Sequence, residues 1–313
     1  MKILITGACG QLGNELARCL TTGCSEIGRI PAEYEGAEVD YVDYDRLDIS
    51  DAGAVDTWFR EHGPYDVVFN GAAVTNVDGC ESNEEGAFAV NALGPENLAR
   101  ACARDNAVLV QVSTDYVFPG TEPGERDESD AVAPISAYGR TKLAGEERAM
   151  AANPRTHVAR TAWLYGYVGR NFVKTMLGLA ERLPQVTVVD DQLGNPTSAN
   201  DLAHELLKIA LSDDYGVWHT TCEGTCSWAD FAAAVMDGAG VGCAVVPVTS
   251  VQYKEANPAS ADRPAFSSLK NGHLERTLGN EMRQWRDALD CYLAKLPELD
   301  NVPVIPGQTS KEA

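Results

Sequence analysis

A β-branched and aliphatic run, Lys2-Ile-Leu-Ile-Thr6, passes directly into Gly7-Ala-Cys-Gly10-Gln-Leu-Gly13 and then into a helical apolar pattern through Leu16, Ala17 and Leu20. Strand, glycine turn and helix in immediate succession leave few folds open. Glycine there keeps the turn tight, lets backbone approach a pyrophosphate and lets the helix pack close to the strand. The helix N-terminus then directs N–H groups at the same point. The motif predicts a dinucleotide site at the head of an α/β fold, a Rossmann-type doubly wound parallel sheet.

The alternation of strands and helices continues. Glu38-Val-Asp-Tyr-Val42 reads as a second strand, ending at Asp43, where an acid would meet the adenosine ribose. An acid there favours NADH, whereas Arg46, close by in sequence, could pair with the 2′-phosphate of NADPH, so both cofactors stay open. Asp48 and Ile49 precede a helix starting near Asp51; Asp48 reads equally as a ribose or adenine neighbour and as a helix-entry turn. Tyr65-Asp-Val-Val-Phe69 runs into Asn70-Gly-Ala-Ala73, whose small side chains would let a cofactor pass over the strand tip. A helical region from about 81 to 104, interrupted at Gly94-Pro95, leads to the apolar strand Val108–Val112. It ends in Ser113-Thr114-Asp115, which sets a hydroxyl at the carboxyl end of a central strand, where open α/β sheets place ligands.

Tyr138 and Lys142 lie four residues apart in a segment that Ser136 caps and Asn153-Pro154 stops, so they share one helix face. A nearby ammonium favours a phenolate, and this pairing predicts a tyrosine moved towards proton chemistry at neutral pH.

Further strands are expected at His157–Thr161 and Val186–Val189, with helices at 171–182 and 201–211. The expected division is a nucleotide domain of residues 1–162 plus about 185–215 and a smaller C-terminal α/β substrate domain of 163–184 plus 216–300. The latter holds a helix capped by Ser227, a strand at Ala244–Val248 and a final helix around Trp285–Leu296; residues 301–313 read as a frayed tail. Trp163, just past a strand end, is a candidate stacking platform, and Arg263 in Ala261-Asp-Arg-Pro264 could meet a diphosphate bidentately.

A formal charge of −21 argues against a general nucleic-acid binder, which needs a basic stripe. Any anionic ligand must be met by local groups. The nine cysteines form no Cys-x-x-Cys pair and read as reduced thiols of a cytoplasmic protein. Cys222-x-x-x-Cys226 would be only half a zinc site. No apolar run approaches a membrane span, and the chain enters its first strand straight from Met1-Lys2, so no targeting segment is expected.

The glycine spacing G-x-x-G-x-x-G is the variant of the short-chain and extended short-chain dehydrogenase/reductase superfamily. Read with Asn70-Gly-Ala-Ala73, Ser113-Thr-Asp-Tyr-Val-Phe118, Tyr138 and Lys142, Arg160-Thr-Ala-Trp163, Asp191-Gln-Leu-Gly-Asn-Pro-Thr197 and Arg263-Pro264, it makes the chain resemble the dTDP-4-dehydrorhamnose reductases from residue 1 to about 296. The resemblance implies reduction of the 4-keto group of dTDP-4-dehydro-L-rhamnose with NADPH or NADH, in dTDP-rhamnose and polysaccharide biosynthesis. It makes Thr114, Tyr138 and Lys142 the catalytic set, with Lys142 lowering the tyrosine pKa and reaching the nicotinamide ribose. It places Gly7, Gly10, Gln11 and Leu12 on the pyrophosphate, Asp48, Ile49, Ala72 and Ala73 along the rest of the cofactor, and Val77, Trp163, Asn171 and Arg263 towards the sugar nucleotide. Some members of that family form magnesium-linked dimers, which makes a homodimer and bound Mg2+ possible, but no ligand cluster legible here predicts the metal. Two departures, the length of the 23–37 stretch and Gly71 in place of a commoner alanine, concern the adenosine side. A nucleotide-sugar epimerase or dehydratase and a silent nucleotide-binding regulatory subunit are the alternatives. Dehydratases of similar fold carry Thr-Asp-Glu where this chain has Thr114-Asp115-Tyr116, and the intact Thr114, Tyr138 and Lys142 oppose a silent subunit.

Overall fold

A computed structural model describes residues 1–305. Six parallel strands form the main sheet: β1 (Lys2–Thr6), β2 (Glu38–Val42), β3 (Val67–Asn70), β4 (Val108–Thr114), β5 (Thr156–Thr161) and the edge strand Gly216–His219. Across the sheet the order is β2, β1, β3, β4, β5, Gly216–His219. The chain's winding direction changes between β1 and β3, so a crevice opens above their carboxyl ends, where doubly wound sheets bind ligands.

Period-two alternation assigns each strand's side chains to the two faces. Ile3, Ile5, Val67, Phe69, Val108 and Val110 join the core beneath α1 (Gln11–Thr22) and the helix Ala199–Ile209. Leu4, Val68 and Leu109 face the opposite core, with Val55 and Phe59 of α2 (Ala52–His62), Leu98 and Ala99 of the helix Gly94–Asp105, and Ala149 of the helix Ala137–Ala152. A separate core gathers Tyr165, Tyr167, Val173, Val186, Val188, Phe231, Val235 and Tyr292.

Three expectations are corrected here. The strand Gln185–Val189, read from sequence with the nucleotide domain, pairs in parallel with Ala244–Val248, while Gly216–His219, assigned to the smaller domain, pairs with β5. An edge strand and a strand of a small separate sheet are both short half-buried runs, and only their pairing tells them apart. The helical region before β4 is broken into Val77–Ser82, Glu84–Phe88, a π-helical turn Ala89–Leu93 and Gly94–Asp105. Of the tail expected to fray, residues 301–305 return to the body: the Asn301 N–H donates to the Tyr167 carbonyl at 2.8 Å, the Val304 N–H donates to Asn14 Oδ1 at 3.1 Å, and Ile305 is buried. Residues 306–313 lie outside the described residues.

Candidate active site

The glycine turn is built as its spacing implies. Gly7 has a φ of +62°, and a Cβ on it would come within 2.6 Å of the Ala72 backbone nitrogen; a Cβ on Gly13 would strike the Ala8 backbone at 2.5 Å. Any side chain at either position would push β1, the loop after β3 or α1 apart. Gly10 is the N-cap of α1 and offers no side-chain acceptor, and no acidic residue occupies the first turn. The N–H groups of that turn are thus left for an anion, with the helix dipole favouring it. Gln11 and Leu12 are its first residues, and these features fit a dinucleotide pyrophosphate.

Below the crevice Thr6, Asn70 and Gln111 are register partners across β1, β3 and β4. The Thr6 hydroxyl donates to Asn70 Oδ1 at 2.5 Å and the Asn70 amide donates to Gln111 Oε1 at 2.6 Å, all three side chains being buried. This polar ladder joins the tips of β1 and β3 to the middle of β4, and the Ala72 N–H also donates to Asn70 Oδ1, at 3.3 Å. Sequence reading passed over Thr6 and Gln111; polar residues interrupting otherwise apolar central strands were the available signal.

Asp43 reaches the glycine turn: Oδ2 accepts from the Cys9 N–H at 2.9 Å and Oδ1 from the Tyr44 N–H at 2.8 Å. Arg46 is turned the other way. Its guanidinium lies over the Trp58 ring at 5.2 Å and donates to the Tyr41 carbonyl at 2.9 Å. Asp48 makes the helix-entry turn, Oδ1 accepting from the Ser50 N–H at 2.9 Å and hydroxyl at 2.7 Å, while Ile49 is buried beside Gly94.

Thr114 ends β4, and its hydroxyl donates to Asp115 Oδ1 at 2.9 Å. Burial pushes Asp115 up to about 6, against the hydroxyls of Ser267 and Thr114. The half-buried Tyr138 packs against Val74, Cys80, Ala87 and Ala137, edge-on to Tyr116 with ring centroids 5.8 Å apart. The helix comes this close because residue 139 is glycine: a Cβ there would fall on the Tyr116 carbonyl oxygen. Burial raises the Tyr138 phenol above its ordinary range, and the neighbouring Thr114 side chain pulls the other way. The expected influence of Lys142 is corrected, because its Nζ donates to the Val112 carbonyl at 2.6 Å and it is not among the groups that perturb Tyr138. Sharing a helix face brought the two side chains to one region, but the lysine is drawn down to a carbonyl within β4. Burial lowers Lys142 itself to about 8, with Glu146 opposing.

Two residues expected towards the sugar nucleotide are heavily engaged. Trp163, with φ of +46°, stacks on Trp228 with centroids 3.5 Å apart and lies against Gly194, where a Cβ would meet its ring at 2.6 Å. Asn171 caps the helix Phe172–Ala180 through Oδ1 and donates from Nδ2 to the Gly166 carbonyl at 2.8 Å and Gln11 Oε1 at 3.2 Å. Val77 begins the helix that carries Asp78, whose Oδ1 accepts from Arg263 Nη2 at 3.0 Å. Arg263 also acts on the Tyr116 phenol, which burial raises and Arg263 lowers. Thus Val77, Arg263, Tyr116 and Tyr138 share one neighbourhood. Arg263 borders a cavity of about 570 Å³ lined also by Gln192, Val251, Tyr253 and Lys254. Among the described residues no three His, Cys, Asp or Glu side chains gather as metal ligands, and no helix is long and apolar enough to cross a membrane.

A model of the RmlD substrate binding domain matches residues 1–297. A dTDP-4-dehydrorhamnose reductase of Mycobacterium tuberculosis is 42% identical over 300 residues, covering 94% of this chain and 92% of that protein. The crystal structure of a dTDP-4-dehydrorhamnose reductase from Clostridium acetobutylicum superposes with a TM-score of 0.88 at 44% identity, covering 95% of this chain and all of that one. Another, from Bacillus anthracis in complex with NADP, gives a TM-score of 0.84 at 33% identity over 94% of this chain and 99% of that one. Matched along almost its whole length by that model and by these proteins, the chain belongs to the RmlD substrate binding domain family, that of the dTDP-4-dehydrorhamnose reductases.

Proposed function

We propose that this protein reduces the 4-keto group of dTDP-4-dehydro-L-rhamnose to give dTDP-L-rhamnose, a sugar donor for cell-surface polysaccharide, using NADPH or NADH in the cytoplasm. One observation carries the reading: Thr114, at the carboxyl end of the central strand β4, neighbours the Tyr138 phenol closely enough to pull its pKa down, with Lys142 one helix turn away.

Gly7, Gly10 and the first-turn N–H groups of Gln11 and Leu12 would hold the cofactor pyrophosphate. Asp43, Asp48 and Ile49 would border its adenosine, Ala72 and Ala73 its middle, and Lys142 its nicotinamide ribose. The cofactor, when bound, supplies the hydride. Tyr138 Oη delivers a proton to the sugar O4 as negative charge develops there, and Thr114 donates to the same oxygen. A phenol kept protonated by burial is in the form an acid requires. Arg263 would meet the diphosphate, with the adjoining cavity open to the nucleotide and Val77, Trp163 and Asn171 shaping the sugar pocket. Tyr116 is buried, with its phenol raised above the ordinary range, and cannot serve as the base a 4,6-dehydratase needs.

The test is to supply dTDP-4-dehydro-L-rhamnose with NADPH or NADH and follow loss of the reduced nicotinamide, expected one-for-one with ketosugar. Protein that purifies with stoichiometric NAD and interconverts sugars without net oxidation would replace this reading with an epimerase.

A further inference from the structure

The inner end of the Tyr138 helix holds charges that the proton chemistry above does not use. Glu146 lies one turn beyond Lys142 on the same face and is 1% exposed. Its Oε1 accepts from the Ser113 hydroxyl at 2.5 Å and from Arg160 Nε at 3.0 Å; its Oε2 accepts from Arg160 Nη2 at 2.7 Å. Ser113 and Arg160 are register partners on β4 and β5, and Val112, just before Ser113, provides the carbonyl that receives the Lys142 ammonium. Two cations and one carboxylate are therefore fixed together out of water, Lys142 and Arg160 being 4% exposed each. A guanidinium does not deprotonate in proteins, so of the two cations only the lysine can give up its charge.

We propose that Glu146 and Arg160 are positioning residues that set the protonation of Lys142, the carboxylate holding the proton on the ammonium and the guanidinium competing for that carboxylate. The other charged groups around this helix are engaged elsewhere. Asp115, after β4, faces Thr114 and Tyr138; Glu81 accepts the Ala137 N–H; Glu84 pairs with Arg140, and Glu96 with Arg148 and Arg100. Arg160 also lies over Phe118, whose ring meets His219 edge-on, and burial keeps that histidine neutral by lowering it to about 3. Burial leaves Lys142 at about 8, and Glu146 is the group that opposes the fall. The lysine thus sits at the edge of losing its charge near physiological pH.

This inference rests on the reading of Lys142 as a cofactor contact, and NADPH affinity measured by fluorescence titration from about pH 7 to 10 tests it without requiring turnover. Affinity of the unaltered protein should fall as pH rises through about 8. Removing an opposite charge one helix turn away lowers an ammonium's pKa, so Glu146→Gln should shift that limb to lower pH. Arg160→Met should shift it up, and Arg160→Lys, which keeps the charge, should leave it near its original position. A residue that merely supported the fold would weaken binding at every pH without opposite displacements. Limbs that stay put, or that move in the same direction in both charge-removing variants, overturn the proposal. If Glu146→Gln does not fold, the comparison of Arg160→Met with Arg160→Lys decides alone. Unaltered protein that shows the limb but reduces no ketosugar would refute the reductase reading and leave this inference standing; an active reductase whose limb ignores both variants would refute only the inference.

Discussion

Gly145 and Asn91 are in backbone contact: a Cβ at Gly145 would fall on the Asn91 carbonyl oxygen. Asn91 lies in the π-helical turn Ala89–Leu93, a distortion that often marks functional sites. Its Oδ1 accepts from the Val74 N–H at 2.8 Å, and its Nδ2 donates to the Val74 carbonyl at 3.0 Å and to Thr141 Oγ1 at 3.2 Å. One side chain thereby ties the loop after β3 to the helix that carries Tyr138 and Lys142. Gly145→Ala should push these elements apart, with a loss of stability of about 1–3 kcal/mol, the usual range for overpacking, read from a denaturant or thermal melt. Turnover should fall with it; unchanged stability would show that the turn yields freely.

Tyr138→Phe should preserve folding and NADPH affinity while lowering kcat by roughly 10²–10⁴-fold, the worth of a positioned acid. Steady-state kinetics beside a cofactor titration separate the two effects, and turnover at the original rate removes Tyr138 from the mechanism.

Asp115 gives a pH dependence of stability with a definite sign. Its folded pKa of about 6 lies above the ordinary aspartate value, so the native state binds a proton more tightly than the unfolded chain. The resulting stabilisation is complete below about pH 4 and is lost as pH rises through about 6. Asp115→Asn, which can still accept from Thr114, should remove this loss and stabilise the protein at pH 7.5 by about 1–3 kcal/mol at 1.36 kcal/mol per unit. Melts at pH 4.5 and 7.5 check it; an equal effect at both would assign the change to packing.

Gly194→Ala should dislodge Trp163 from its stack on Trp228, since the added methyl enters the ring's space. The expected result is a raised KM for the ketosugar with the NADPH KM little altered. A change confined to the cofactor would place Trp163 outside the sugar pocket.

Both NADH and NADPH should be accepted with discrimination below about a hundredfold, or roughly 2.7 kcal/mol. Asp43 stands at the glycine turn, while Arg46 is stacked on Trp58 and must swing to reach a 2′-phosphate. Kinetics with each cofactor, repeated for Asp43→Asn and Arg46→Ala, show which residue dominates.

Much of this protein was legible in its sequence, for local reasons. β1, β2 and the Ala244–Val248 strand stand where alternation and β-branching put them, and Ser136 and Ser227 cap the helices they precede, because capping and glycine-turn geometry involve neighbours along the chain. The placement of Thr114 at a strand end and of Tyr138 and Lys142 one helix turn apart was readable for the same reason.

What the tertiary structure alone decided are relations between distant segments. Pairing put Gly216–His219 at the edge of the main sheet and gave Gln185–Val189 a different partner, though the two runs look alike locally. Lys142 follows the Val112 carbonyl because burial leaves an ammonium no water and β4 offers an acceptor. The same burial, and not the lysine's charge, governs Tyr138. Desolvation depends on everything packed around a group, and no spacing along the chain encodes it.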